Sequence, residues 1–224
     1  MNTILGNRLM EALGQDAVKT APEDLAVYSF DAYSQTSPPA AVVLPRNTRD
    51  VAAVVKIAKA CGEPVVARGA GTGLCGGAVP ARGGVVISFA RMNQILDIDV
   101  RNRRARVQPG LINLDLSRAT EKSGLFYAPD PSSQKISTIG GNVGTNAGGP
   151  HCLLYGTTVN HVISLEVVDE DGEVFNTSLD EGGYDLTGTL VGSEGTLGIV
   201  CSAQVRLMRL PEAVRVFVAA FPDV

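Results

Sequence analysis

Apolar residues recur at two distinct periods along this chain, and each change of period marks an element. Leu5, Leu9 and Leu13 fall four apart with Met10 beside them, which predicts a helix over Thr3 to Leu13 that Gly14 ends. Ala21 to Pro39 carries no period and reads as irregular, with Tyr28, Phe30 and Tyr33 as aromatic anchors. Ala40 to Leu44 is an unbroken apolar run closed by Pro45, the pattern of a buried strand. Thr48 then offers an N-cap oxygen and Asp50 a first-turn negative charge. Val51, Val54, Val55 and Ala58 follow as the apolar stripe of a helix that ends near Gly62.

Further strands are expected over Pro64 to Ala67 and Gly84 to Ser88. Ile95 to Val100 and Arg104 to Gln108 read as a hairpin around Asn102. Leu111 to Lys122 has helical spacing, with Gly124 as its C′ residue. Val162 to Asp169 is a strand, Asp171-Gly172 a hairpin turn and Glu173 to Asn176 the return. A short helix near Leu186 to Leu190 precedes a long alternating strand over Ile199 to Leu207, and Val214 to Phe221 reads as one more apolar strand. Phe221-Pro222-Asp223-Val224 looks like a strand end and the start of a helix cap, which suggests a fragment whose partner segment is missing.

Composition narrows the function classes. With 224 residues, 45% hydrophobic and 19% charged, the chain is an ordinary globular one with a sizeable core. A net charge of −4 argues against a nucleic-acid surface, and the short cluster Arg101-Asn102-Arg103-Arg104 reads as a solvated strand connection. No run approaches the roughly 20 apolar residues of a membrane span, and no secretory signal opens the chain. Cys61, Cys75, Cys152 and Cys201 have no C-x-x-C spacing, so a reducing, cytoplasmic setting is expected. Two histidines, His151 and His161, are too few for a His-rich metal centre, and no metal is expected.

The chemistry gathers in two glycine-rich segments, Arg68-Gly-Ala-Gly-Thr-Gly-Leu-Cys-Gly-Gly77 and Thr138-Ile-Gly-Gly-Asn-Val-Gly-Thr-Asn-Ala-Gly-Gly149. Removing side chains lets backbone N–H groups approach a ligand closely, and a phosphate-bearing cofactor is the expected one. Neither segment has the Gly-Lys-Ser/Thr of a nucleotide-triphosphate loop. The alternation Gly69, Gly71, Gly73 fits a dinucleotide fingerprint poorly, because Gly76, Gly77 and Pro80 do not open a helix. In the second segment Ile139 and Val143 would anchor a short helix. A plain surface connection for the first, and close helix packing without a ligand for the second, are the alternatives. Pro129-Asp130-Pro131-Ser132-Ser133 is either a simple turn or part of the same site.

Taken in order, Arg68-Gly-Ala-Gly-Thr-Gly-Leu74, Pro129-Asp-Pro-Ser-Ser133, Ile139-Gly-Gly-Asn, Asn146-Ala-Gly-Gly149, Tyr155-Gly156 and Gly192-Ser-Glu-Gly-Thr-Leu-Gly-Ile199 resemble the FAD-binding domain of the vanillyl-alcohol oxidase or PCMH superfamily. The stretch through Pro150-His151-Cys152 is most similar to the branch of glycolate oxidase FAD-linked subunits and D-lactate dehydrogenases. The resemblance implies an α+β PCMH-type fold of two α/β subdomains with the cofactor between them. Its implied boundaries are an N-terminal helix and extended segment over 1–38, subdomains over about 39–98 and 99–211, and the start of a C-terminal cap domain over 212–224.

The same resemblance implies roles for residues. Arg68, Gly69, Ala70, Gly71, Thr72, Gly73 and Leu74, helped by Gly76 and Gly77, would hold the FAD pyrophosphate. Pro129, Asp130, Ser132 and Ser133 would line the ADP and ribityl side. Ile139, Gly140, Gly141, Gly144, Thr145, Asn146, Gly148, Gly149, Tyr155 and Gly156 would run beside the pyrophosphate and ring, and Glu194, Gly195, Gly198 and Ile199 would contact the adenosine end. Thr72 stands where relatives with covalent flavin carry a histidine, so noncovalent FAD is implied. The implied activity is oxidation of a 2-hydroxy acid such as glycolate or D-lactate by hydride transfer to flavin N5, with the substrate-handling groups in the cap. The isolated chain would then be inactive, and partner subunits, an electron acceptor and the inner face of a membrane are compatible with it. A noncatalytic FAD-holding or assembly subunit is the alternative, and a reductase of cell-wall precursors fits the Pro150-His151-Cys152 stretch less well. No catalytic residue is assigned. His151 is a base or ring-tuning candidate with a purely structural role as its alternative, and Cys152 lacks a second thiol at a disulfide-forming spacing.

Overall fold

The computed structural model describes residues 3–33 and 35–222, so Asp223 and Val224 of the expected terminal cap lie outside the described residues. Helix α1 (Thr3–Leu13) buries Leu5, Leu9 and Leu13, and Gly14, at φ 91°, ends it. Strand β1 (Val18–Lys19) follows, then helix α2 (Pro22–Val27), β2 (Ala41–Val43), α3 (Thr48–Ala60), β3 (Val65–Arg68) and β4 (Val85–Ser88). These strands form one sheet in the order β1-β2-β4-β3, with β2, β4 and β3 parallel and β1 antiparallel at the edge.

The second sheet is antiparallel throughout. Hairpin β5 (Ile95–Asp99) and β6 (Arg104–Val107) leads to α4 (Asn113–Thr120), the short β7 (Leu125–Phe126), α5 (Ile139–Thr145) and α6 (Cys152–Tyr155). Then come β8 (Val162–Val168), β9 (Val174–Ser178), α7 (Leu186–Leu190), β10 (Ile199–Arg206) and β11 (Met208–Arg209). Strand order is β5-β6-β10-β8-β9, and β11 pairs with β7 beside it.

Helix α3 joins the two halves. Its Val51, Val54, Val55 and Ala58 are buried in a core that takes residues of the first sheet together with Val168, Ile199 and Cys201 of the second. Lys56 pairs with Glu173 at 2.7 Å, and Lys59 with Asp171, so α3 is also tied to the β8–β9 turn at its rim. A separate core under the second sheet holds Val107, Leu116, Ile139, Val143, Leu165 and Val205 among others.

Three expectations need correction. Ala21 to Pro39 is not wholly irregular: Pro22 at the first helical turn, with Glu23 and Asp24 after it, starts α2, which Leu25 anchors in the core. The N-cap of α3 is Asn47, whose side chain accepts from Asp50 N at 3.0 Å, and Thr48 is the first helical residue. Val214 to Phe221 forms no strand, because a strand needs a neighbour for its backbone groups and none of the described chain pairs with it. Its Val214, Val216, Phe217 and Val218 stay exposed.

Candidate functional site

The first glycine segment leaves the sheet at the end of β3. Arg68 closes that strand with its side chain buried beneath the loop, where the guanidinium lies 5.7 Å from the Tyr28 ring centre and donates to Ala78 O at 3.3 Å. Burial pulls the Arg68 guanidinium below its ordinary value, and the charges of Asp31 and Tyr28 oppose that shift. Asp31 is itself buried and accepts from Tyr33 N (2.7 Å) and Ala78 N (3.4 Å). A charged pair of residues thus supports the loop from inside, and the loop's outer face is left to its backbone.

From Gly69 to Gly77 that backbone runs without helix or strand. Among the described residues, no N–H of this stretch donates to a protein acceptor. Backbone N–H groups are obligatory donors, so a run of them at a surface is a ready acceptor site for anionic oxygen. Ala70, Leu74 and Gly77 are exposed, and Gly71 takes φ 70° directly over Arg68.

Two other segments close on this loop. Thr138 caps α5, its hydroxyl accepting from Gly141 N at 3.2 Å, and a Cβ on Gly69 would overlap that hydroxyl. The turn after α7 brings in Glu194, held at φ 52° with its N–H on Gly144 O (2.9 Å) and its carboxylate where a Cβ on Gly77 would lie. Gly195 and Gly192 of that turn sit against Ala67 and Asn146, at 3.6 and 3.4 Å from where their Cβ atoms would be. Gly69, Gly77, Thr138, Gly144, Glu194 and Gly195 therefore border one cleft. A cavity of about 280 Å³ opens beside it, lined in part by Gly69, Ala70, Asn93, Asp115 and Thr138.

The Pro129–Ser133 turn joins the far end. Asn113 Nδ2 fixes Pro129 O at 2.9 Å, Ser133 O accepts from Ser137 N, and Ser132 is exposed. Asp130 reaches His151, with Nδ1 and Oδ2 2.5 Å apart. Gly149 packs on the Asp130 carbonyl and Gly148 on Cys152 Sγ. Tyr155 stands edge-on to Phe126, and its carbonyl accepts from the His161 ring at 2.9 Å. His161 is buried, which lowers its pKa, with the Tyr155 carbonyl acting in the opposite sense. Cys201, which burial pushes up to about 12, is a core residue.

Several expected site residues owe their identity to packing. Gly140 has no room for a Cβ against Pro109, and its N–H already donates to Pro109 O at 2.7 Å. Ile139 and Ile199 are core side chains, and Gly198 faces Val167 across β8. Gly156 presses on Asn160. Conversely, Asp31 and Gly110 shape the site with no role expected from the sequence, and Thr138, at the head of the second glycine segment, does so as a helix cap. Thr138 two residues before a Gly-Gly pair carried a helix-cap signal, whereas Asp31 sits in an aperiodic stretch with no local pattern.

The donors present suit a diphosphate: unpaired N–H groups, a buried guanidinium beneath them and glycines that leave the approach open. Buried Asn142 Nδ2 and Ser137 Oγ, on or next to α5, lack protein partners. Residues 39–178 match the family described as FAD binding domain. The chain is 47% identical over 222 residues to the glycolate oxidase subunit GlcD of Bacillus subtilis (strain 168), an alignment covering 97% of this chain and 47% of that protein. It is 42% identical over 180 residues to a D-lactate dehydrogenase of Anaerostipes hadrus, covering 79% of this chain and 38% of that one. A solved structure of alkyldihydroxyacetonephosphate synthase superposes with a TM-score of 0.84 at 25% identity, over 95% of this chain and 45% of that one. The chain thus spans less than half the length of these relatives, 47% and 38%.

Proposed function

The chain belongs to the FAD binding domain family and has its α+β, PCMH-type fold, and from that premise we propose that it is the cofactor-holding part of a flavin-dependent 2-hydroxy acid dehydrogenase or oxidase. The relatives named for glycolate oxidase and D-lactate dehydrogenase support this class of substrate. The observation that carries the reading is the run of unpaired N–H groups from Gly69 to Gly77, set against Thr138 and Glu194. FAD carries a diphosphate between two ring systems, and oriented backbone amides hold phosphate oxygens without any lysine.

In the proposed arrangement Gly69, Ala70, Gly71, Thr72, Gly73, Gly76 and Gly77 hold the diphosphate. Pro129, Asp130, Ser132 and Ser133 border the ribityl side, Gly144, Thr145, Asn146 and Gly148 the ring, and Glu194 with Gly195 the adenosine end. Binding is noncovalent, since Thr72 offers no ring nitrogen. Bound FAD supplies the two-electron acceptor, while this chain binds it, orients it and excludes water from it. Groups that recognise the substrate carboxylate are assigned to the part of such proteins that this chain does not match.

We assign two subdomains, about 39–98 and 99–211, a division that the separation of the strands into two sheets supports. The first also takes in α1 and β1, which complete its core. Partner subunits are proposed because the Bacillus relative is named as a subunit. Among the described residues no helix is long and apolar enough to cross a membrane, and the free cysteines fit a reducing, cytoplasmic setting. The test is an absorption spectrum of the purified chain. A flavin band that acid precipitation releases as FAD is expected, with no turnover of glycolate or D-lactate by the chain alone. Colourless protein that refuses added FAD would overturn the reading.

A further inference from the structure

We propose that Tyr28, Asp31 and Tyr33, all ahead of the 39–178 region that matches the family, are positioning residues for the cofactor: they clasp the first glycine segment and hold its N–H groups in the array that takes the diphosphate. The proposal rests on the functional reading above and deepens it.

The contacts are spread along the segment. At its start the Arg68 guanidinium lies 5.7 Å from the centre of the Tyr28 ring. In its middle, Asp31 Oδ2 lies 4.0 Å from where a Cβ on Gly73 would stand. At its end Asp31 Oδ2 accepts from Ala78 N at 3.4 Å, and the Tyr33 ring comes within 3.3 Å of where a Cβ on Gly76 would stand. The other carboxylate oxygen, Oδ1, accepts from Tyr33 N at 2.7 Å. One side chain thus fixes both its own turn and the loop.

The clasp is itself anchored. Tyr28 ends α2 and packs with Leu44 and Val66 against a small core of Leu25, Val42 and Val86. Beyond it, Ser37 N donates to Ser29 O at 2.8 Å and closes the segment on itself. Asp31 is 6% exposed, and a buried carboxylate is costly unless hydrogen bonds and an opposite charge compensate it. Two backbone donors do so here together with the Arg68 charge, which the Asp31 charge favours in return.

Among the described residues no N–H from Gly69 to Gly77 donates to a protein acceptor, and five residues of that stretch are glycines. Ordering such a chain is unfavourable, most of all at glycine. A ligand that had to order it on arrival would bind more weakly. Contacts from Tyr28, Asp31 and Tyr33 order it beforehand, without touching the ligand.

Flavin fluorescence titration of the apoprotein measures the Kd for FAD. Asp31→Ala is expected to raise it about tenfold or more, because a charged acceptor is lost, and Tyr33→Ala to raise it by a smaller factor. Hydrogen exchange over residues 69–80 of the apoprotein should quicken in Asp31→Ala. Leu9→Ala, in the first core, is the control for stability alone: it should lower Tm and leave both the Kd and that exchange unchanged. If Asp31→Ala does not fold, Tyr33→Ala decides, since its ring is 42% exposed. Wild-type Kd values in the folded variants, or a loss in Leu9→Ala as large as in Asp31→Ala, would overturn the proposal. Wild-type chain that takes up no FAD would instead overturn the functional reading on which it rests.

Discussion

Gly69 and Thr138 share a space that holds only one side chain. Thr138 uses it to cap α5, so a methyl at position 69 must push the hydroxyl off Gly141 N. Losing such a cap costs about 1 kcal/mol, and Gly69→Ala is expected to lower stability by about that amount in urea denaturation. In a Thr138→Ala background the cost should shrink by about 0.5–1 kcal/mol, because the contact is already gone. Fully additive effects would show that the two residues do not interact. Glycines of this kind were legible as a cluster in the sequence, yet their individual reasons were not. Gly69 leaves room for a partner side chain, Gly140 leaves room for Pro109, and Gly149 for the Asp130 carbonyl. Asp31, which braces the loop beneath Ala78, could not be found from sequence, since the loop residue it holds, Ala78, lies 47 positions away.

At the scale of elements, periodicity located what local chemistry decides. The α3 stripe and the runs that became β2, β4 and β10 were legible because their burial on one or both faces dictates an apolar pattern. Two-residue strands β1, β7 and β11 carry too little pattern to read, and Val214 to Phe221 shows that an apolar run becomes a strand only where a neighbour accepts it. Helix α1 tests whether the segment before residue 39 belongs to the same folding unit. Leu9 is fully buried against the first sheet, while Ile4 on the same helix is 65% exposed. Leu9→Ala is expected to cost about 2–5 kcal/mol and Ile4→Ala less than about 0.5 kcal/mol, read from urea midpoints. If Leu9→Ala proved as mild as Ile4→Ala, α1 would be an appendage and the first core would be complete without it.

For the whole molecule the issue is how a chain of net charge −4 takes up a cofactor that is itself anionic. Strand order supplies part of the answer. β10 inserts between β6 and β8, a pairing across nearly a hundred positions that periodicity cannot reveal. That insertion carries the Glu194 turn, which precedes β10, onto the end of α5 and the first glycine loop. The first glycine loop offers this cleft its backbone donors, and within Gly69 to Pro80 no side chain is charged. Affinity should therefore depend on the diphosphate and little on long-range charge. A ligand that binds only the folded state stabilises it by about 2.7 kcal/mol at 100 times its Kd, and for a chain of this size each kcal/mol raises Tm by about 2–4 °C. FAD at that excess is thus expected to raise Tm by about 5–11 °C in a thermal scan. ADP, which keeps the diphosphate, should give part of that rise, and riboflavin, which has no phosphate, none. A shift from riboflavin equal to that from FAD would mean that ring contacts hold the cofactor, and the unpaired amides of Gly69 to Gly77 would need another explanation.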